Sequence, residues 1–171
     1  MRRLYPESAG AVQTLFERCN DFNLLVDGED VSPTSGQEIF QELPPGRSLA
    51  DKFLFGVFDP TEQLVGLLEG LWGYPEAGVC WIGLLLLDPA LRGQGLGRQL
   101  MVGFEDYARA QGSQFLMLGV VEENPRAYTF WSSLGFELVH QTKPRRFGNK
   151  LQKVLVMRKI LTGMVSDQGA S

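Results

Sequence analysis

Six residues constrain the fold of this chain more than any others: Arg92-Gly93-Gln94-Gly95-Leu96-Gly97. They stand between an apolar run, Val79 to Leu87, and a helical pattern, Leu96 to Gln111. A strand that passes through a glycine-rich turn into a helix is suited to hold a pyrophosphate. Glycines let the backbone come close to phosphates. The first helical turn then offers unpaired N–H groups and the positive end of its dipole. The element predicts a nucleotide-like ligand.

The rest of the chain supplies a frame for it. Ser8 to Asn20 predicts a first helix capped by Ser8, with Val12, Leu15, Phe16 and Cys19 at helical spacing. Residues 21–37 read as irregular, and Ile39 to Leu43 as a short helix ended by Pro44-Pro45-Gly46. Phe53 to Phe58 and Leu64 to Trp72 flank the turn Asp59-Pro60-Thr61-Glu62 and predict a hairpin. Val79 to Leu87 is apolar on both faces, as in a strand covered by helices on each side. In the long helix, Leu96, Leu100, Phe104 and Ala108 form the apolar face, while Arg98, Glu105, Asp106 and Arg109 occupy the rest. Gly112 ends this helix. Phe115 to Val121 is a strand, parallel to Val79–Leu87 if the crossover is right-handed. Pro125 starts another helix, Gly135 stops it, and Phe136 to Thr142 pairs with Leu151 to Ile160. The expected fold is α+β: about six or seven strands in a mixed, largely antiparallel sheet flanked by helices. One domain is expected over 1–161, with 162–171 a small, polar, flexible tail.

Composition removes several classes of function. A net charge of −4 offers no general attraction for nucleic acid. Cys19, Cys80 and the sole histidine, His140, are too few for a cysteine-rich metal site or a histidine-based triad, so no metal is expected. The apolar runs are short and broken by glycine, and no long apolar segment follows Met1-Arg2-Arg3. Neither a membrane span nor a signal peptide is expected, and the location predicted is cytoplasmic.

The glycine turn does not fit a dinucleotide fold well, although Glu122 lies near where an acidic ribose ligand would stand. The spacing is G-x-G-x-G. Five residues, Asp88 to Arg92, separate the strand end from the glycines, and the first half of the chain reads as antiparallel hairpins. A phosphate loop of the G-x-x-x-x-G-K-[ST] type does not occur in the chain.

The turn does resemble the signature of the GNAT superfamily of acyl-CoA-dependent N-acyltransferases, Q/R-x-x-G-x-G/A. Arg92, Gly95 and Gly97 fill that pattern, with Leu87-Asp88-Pro89 before it as the strand end. A second family pattern, N-x-x-A followed by aromatics and then G-F, stands as Asn124 to Trp131 with Leu134-Gly135-Phe136. The two occur in order, one helix and one strand apart. The resemblance implies that acetyl-CoA lies where the central parallel strands splay, with its pantetheine arm along Leu85, Leu86 and Leu87. Its pyrophosphate would meet the N–H groups of Arg92, Gly93, Gln94, Gly95, Leu96 and Gly97. Asn124, Ala127 and Trp131 of the second pattern would also bind the cofactor. An amine would then attack the thioester directly, in a ternary complex, with a base taking its proton. Many members place a tyrosine four residues after the alanine, as general acid. Trp131 stands there in this chain, and Tyr128 is displaced by about a third of a turn from Ala127.

Glu69 shares a strand face with Val65, Leu67 and Leu71, so its carboxylate either faces a cleft or has a partner. In the family a glutamate on a central strand often serves as base, and solvent exposure at a sheet edge is the competing expectation. Glu122 and Glu123 end a strand and approach the acceptor or remain solvated. Lys143, Arg145, Arg146 and Lys150 form a solvated hairpin tip or receive an acidic group. The function expected is acetyl transfer to a primary amine of a small molecule or peptide, with catalysis by Glu69, Glu122 and Tyr128. No nucleic acid or membrane is an expected partner, and a homodimer stays open. Two alternatives stand: an acyl-CoA-binding sensor without turnover, favoured by Trp131, and a dinucleotide-dependent oxidoreductase.

Overall fold

The computed structural model describes residues 1–161; the expected tail, 162–171, lies outside them. Seven strands form one sheet: β1 (Arg2–Arg3), β2 (Lys52–Phe58), β3 (Leu64–Trp72), β4 (Val79–Leu87), β5 (Phe115–Val121), β6 (Glu137–Gln141) and, numbered in chain order after a small hairpin, β9 (Val154–Ile160). That hairpin is β7 (Arg145–Phe147) and β8 (Lys150–Gln152). The order across the sheet is β1-β2-β3-β4-β5-β9-β6. Every neighbouring pair is antiparallel except β4 and β5, which are parallel. The fold is mixed α+β, as the alternation of strands and helices predicts.

The parallel pair determines where a ligand can enter. Its register runs from Val79 opposite Phe115 to Ile82 opposite Leu118 and stops there. Beyond that point β4 stays paired to β3, and β5 stays paired to β9, but not to each other. The two strands part inside the sheet, so their facing backbone groups form an internal edge that calls for a hydrogen-bonding partner.

Helices cover both faces. Helices α4 (Leu96–Ala110) and α5 (Pro125–Ser133) pack on one side, around Phe53, Phe104, Leu116, Leu118 and Met157. Helix α1 (Ala9–Arg18) packs on the other, with Val12 and Leu15 against Leu54, Leu64 and Leu67. Strand β2 divides its side chains between these layers, Phe53 and Phe55 on one face and Leu54 on the other, by simple alternation. Phe104 is fully buried and lies 5.2 Å from Phe53 and 5.9 Å from Trp72, ring centre to ring centre. Burial of such a ring contributes about 1.5–3 kcal/mol.

Several local expectations need correction. The buried stripe of α4 is Gly97, Met101, Phe104, Glu105 and Ala108; Leu96 and Leu100 are only half-buried. Glu105 belongs to that stripe because Lys159 Nζ donates to it at 2.6 Å, which satisfies the buried charge. Ser8 closes a tight turn at Pro6–Ser8, and its side chain caps nothing. The segment read as irregular holds α2 (Asn20–Val26) and α3 (Ser35–Glu38), and the helix expected at Ile39–Leu43 is absent. Arg2–Arg3 adds an edge strand to β2. Among the described residues no helix is long and apolar enough to cross a membrane.

Candidate active site

The splay between β4 and β5 opens into a cleft of about 640 Å³. Leu85, Leu86 and Leu87 form one wall, while Asn124, Ala127 and Trp131 stand on the α5 side. Helix α5 is placed by a local device: Asn124 Oδ1 accepts from the Ala127 N–H at 3.0 Å, with Pro125 in the first turn. The floor is the glycine turn. Gly93 and Gly95 adopt φ of +77° and +85°, a backbone region that side chains disfavour, and a Cβ at either would project into open space. Gly97 is needed for a different reason, since a Cβ there would come within 3.1 Å of the Phe130 ring. The turn thus presents bare backbone to the cleft and lets α4 pack tightly on α5.

Arg92 Nε donates to the Leu87 carbonyl at 2.9 Å, and its guanidinium forms a two-pronged ion pair with Asp21 on α2. The Arg92 hydrogen bonds hold the Asp21 carboxyl below its ordinary range. Arg98, Arg126 and Arg145 also line the cleft, so Asp21 is its one carboxylate among the described residues. Four guanidiniums in a chain of net charge −4 make this cleft an anion-accepting region.

A second cavity, of about 700 Å³, lies on the α1 side of β4. Glu69 lines it, together with Asp27, Glu38, Glu42 and Lys52. The two cavities share Phe22, Val26, Gly83, Leu84 and Leu86 as walls, so they meet across β4. The meeting point is a bulge: Glu69 pairs with Leu84 and Gly70 with Ile82, which leaves Gly83 as an extra residue without a cross-strand partner. A Cβ on Gly83 would collide with Glu69 Oε2. Only glycine permits that approach. The other oxygen, Oε1, accepts from Lys52 Nζ at 2.5 Å. Burial pushes the Glu69 carboxyl up from its ordinary value, and the Lys52 charge pulls it partway back.

The remaining expected site residues fall elsewhere. Tyr128 lines neither cavity and packs against the core under α5. Trp131 is buried, edge-on to Phe130 and Phe136, so its indole serves the core as well as the cleft wall. Glu122 also lines neither cavity; its Oε1 accepts from the Lys153 N–H at 3.1 Å on the outside. Gln94 bonds back to the Ala90 carbonyl, and neither it nor Leu96 reaches the cleft lining. Helix α2 is the element that pattern reading missed, and it walls both cavities through Phe22 and Val26. Its last carbonyls are held by the β7–β8 hairpin. Gln152 Nε2 donates to Val26 O at 2.6 Å, Lys150 Nζ to Leu25 O at 2.9 Å, and the Asn149 N–H to Asp27 O at 2.8 Å. Of the two expectations for this hairpin, a solvated tip or a place beside an acidic group, Arg145 and Phe147 fit the second, since both line the cleft. Among the described residues no group of three or more histidine, cysteine, aspartate or glutamate side chains could hold a metal ion.

A splayed parallel pair above a glycine turn, with a bulged strand between two cavities, defines an acyltransferase-type architecture. The acetyltransferase (GNAT) family model matches residues 13–136, and the chain belongs to that family. An acetyltransferase from Thermus thermophilus is similar over 93% of this chain and 94% of its own, at 25% identity and a TM-score of 0.72. A GCN5-related N-acetyltransferase from Kribbella flavida has the same fold, with 20% identity, 93% and 95% coverage and a TM-score of 0.68. A spermidine N-acetyltransferase chimera from Vibrio cholerae gives 21% identity, 94% coverage of both chains and a TM-score of 0.70. No curated protein sequence matches the chain.

Proposed function

We propose that the protein is an acetyl-CoA-dependent N-acetyltransferase that acts on a primary amine of a small molecule or peptide. The observation that carries this reading is the junction of two oppositely charged cavities at Gly83, with Glu69 at the junction. The arginine-lined cleft fits acetyl-CoA, because open-faced glycines at positive φ and four guanidiniums suit a pyrophosphate and its neighbouring phosphate. Acetyl-CoA, when bound, supplies an acyl thioester activated for attack.

The chain's own residues do the rest. Gly93, Gly95 and Gly97 hold the backbone turn at the phosphate end, and the inner edge of Leu85–Leu87 offers free strand groups to the pantetheine amide chain. The carboxylate-rich cavity draws in a cationic amine. An alkylammonium has a pKa near 10 and must lose its proton before it can react. Glu69 takes that proton, directly or through one water, and its partly raised pKa improves it as a base. Neither Tyr128, which packs on the core and does not line the cleft, nor Trp131, whose indole N–H is a poor acid, serves as a general acid. Water at the cleft mouth is left to protonate the thiolate.

The test is release of free thiol from acetyl-CoA over an amine panel that includes spermidine, lysine and simple alkylamines. Turnover with at least one amine supports the reading. Saturable acetyl-CoA binding by calorimetry with no turnover on any amine would favour a sensor without catalysis, the reading to which Trp131 at the general-acid position points.

A further inference from the structure

The acidic cavity contains one cation among its described lining residues, Lys52, and that cation is spent on Glu69. Lys52 opens β2 and pairs across the sheet with Leu71, which places its side chain on the same face as Glu69, two residues away on β3. Both side chains are largely buried, at 8% and 14% exposure. Lys52 Nζ donates to Glu69 Oε1 at 2.5 Å and to the Glu42 carbonyl at 2.9 Å. These two bonds fix the ammonium between β2, β3 and the segment after α3. An apolar pair of similar volume would hold β2 to β3 at least as well, because desolvation offsets most of the attraction within a buried ion pair. Sheet stability therefore does not account for a lysine here.

We propose that Lys52 is the positioning residue for Glu69: its ammonium grips one carboxylate oxygen and leaves the other, charged and oriented, against the Gly83 bulge. This rests on the reading of Glu69 as the base. The groups that face Glu69 show what Lys52 opposes. Glu42, Glu38 on α3 and Asp27 at the end of α2 all line the same cavity and are acidic; α1 contributes Phe16, the residue that follows α1 is Cys19, and β4 contributes Gly83, Leu84 and Leu86. Without Lys52, Glu69 would keep its burial and the like charge of Glu42 with no cation to oppose them, so its carboxyl would hold its proton more tightly. A protonated Glu69 cannot accept the proton of an incoming ammonium.

The experiment compares Lys52→Met, Lys52→Arg, Glu69→Gln and the Lys52→Met/Glu69→Gln double variant. The Glu69 carboxyl carbon is titrated by carbon-13 NMR in the unliganded protein, its signal assigned by its loss in Glu69→Gln. The expected result is a midpoint raised by about one pH unit or more in Lys52→Met and near wild type in Lys52→Arg. With acetyl-CoA and the fastest amine of the panel, the acid limb of kcat should move up by the same amount. kcat should therefore fall by up to about tenfold on the acid side of the variant's midpoint and recover above it, with the acetyl-CoA KM unchanged. In the Glu69→Gln background, Lys52→Met should change kcat less than twofold. If Lys52→Met does not fold, Lys52→Gln, which keeps a donor without charge, takes its place. An unmoved midpoint, or an equal loss at every pH that persists in the Glu69→Gln background, would overturn the proposal. Wild-type kcat in Glu69→Gln would instead remove Glu69 as base, while the NMR midpoint still reports what Lys52 does to it.

Discussion

The two cavities on either side of β4 are similar in size and opposite in chemistry. The cleft between β4 and β5 is built from local devices: a glycine turn, a helix cap and strand backbone. Its charge comes from arginines, and its one carboxylate among the described residues is neutralised by Arg92. The cavity under α2 and α3 is built from segments far apart in sequence, and its charge comes from carboxylates around Lys52. Under the proposed function, the difference would separate the two halves of an acyl transfer. Backbone N–H groups and guanidiniums suit a polyanion whose shape does not vary, whereas side chains on irregular segments suit a variable amine. A bulge at Gly83 then lets the two halves touch without merging.

The largest expected effect tests the junction. Glu69→Gln keeps the shape and removes the basicity, so kcat at pH 7 should fall by about 10²-fold or more, with acetyl-CoA affinity little changed. The sign of the pH dependence follows from burial: a carboxyl whose pKa is raised is protonated, and inactive as a base, at low pH. Wild-type kcat should therefore climb as pH rises through that raised value, and the Glu69→Gln deficit should shrink where the free amine is abundant. A pH-independent deficit would break the division of labour between the cavities.

The next effect tests the arginine-lined cleft alone. Gly95→Val forces a β-branched residue to φ near +85° and projects it into open cleft space. Strain of about 1–3 kcal/mol plus the lost approach should weaken acetyl-CoA by about tenfold or more in calorimetry. Amine KM should stay within twofold. Unchanged acetyl-CoA affinity in a folded variant would remove the phosphate role of the turn.

A smaller effect sharpens the acidic side. Glu38→Gln with Glu42→Gln lowers the cavity's negative charge, keeps Glu69 itself in place, and relieves the like-charge push of Glu42 on it. Amine KM should rise severalfold, up to about tenfold at low salt, and the rise should fade as salt screens it. The same rise in acetyl-CoA KM would show that the cavities are not electrostatically distinct. The smallest effect concerns α2, where Asp21→Asn frees Arg92 and removes the carboxylate from the arginine-lined cleft. Acetyl-CoA should bind about two- to fivefold tighter at low salt, by the small worth of an exposed pair. Weaker binding would make the ion pair a scaffold for the cleft instead of a competitor within it.

Legibility in the sequence divides along the same line as the cavities. Gly93, Gly95, Asn124 and Pro125 were readable because each position answers to its own dihedral angles or to neighbours three residues away. For α4 the sequence showed Phe104 and Ala108 on the buried face but could not show Glu105 there, because Lys159, 54 residues away, supplies its partner. Gly83 did carry a signal, a lone glycine within an otherwise apolar strand, which marks a bulge or a close approach. Lys52 carried none, since a lysine at the start of a strand is ordinarily solvated.

By itself the sequence determined the strand, glycine turn and helix beside the cleft, and the capped aromatic helix next to them, because those conformations depend on short-range sterics and hydrogen bonds. Only the tertiary structure decided what Glu69 faces. Its partner Lys52 is 17 residues away on a neighbouring strand, Asp21 meets Arg92 across 71, and Gln152 ties down α2 across 126. Those contacts follow from sheet register and from which loop closes over which strand. Such choices are made by the packing of the whole chain, and no local pattern records them.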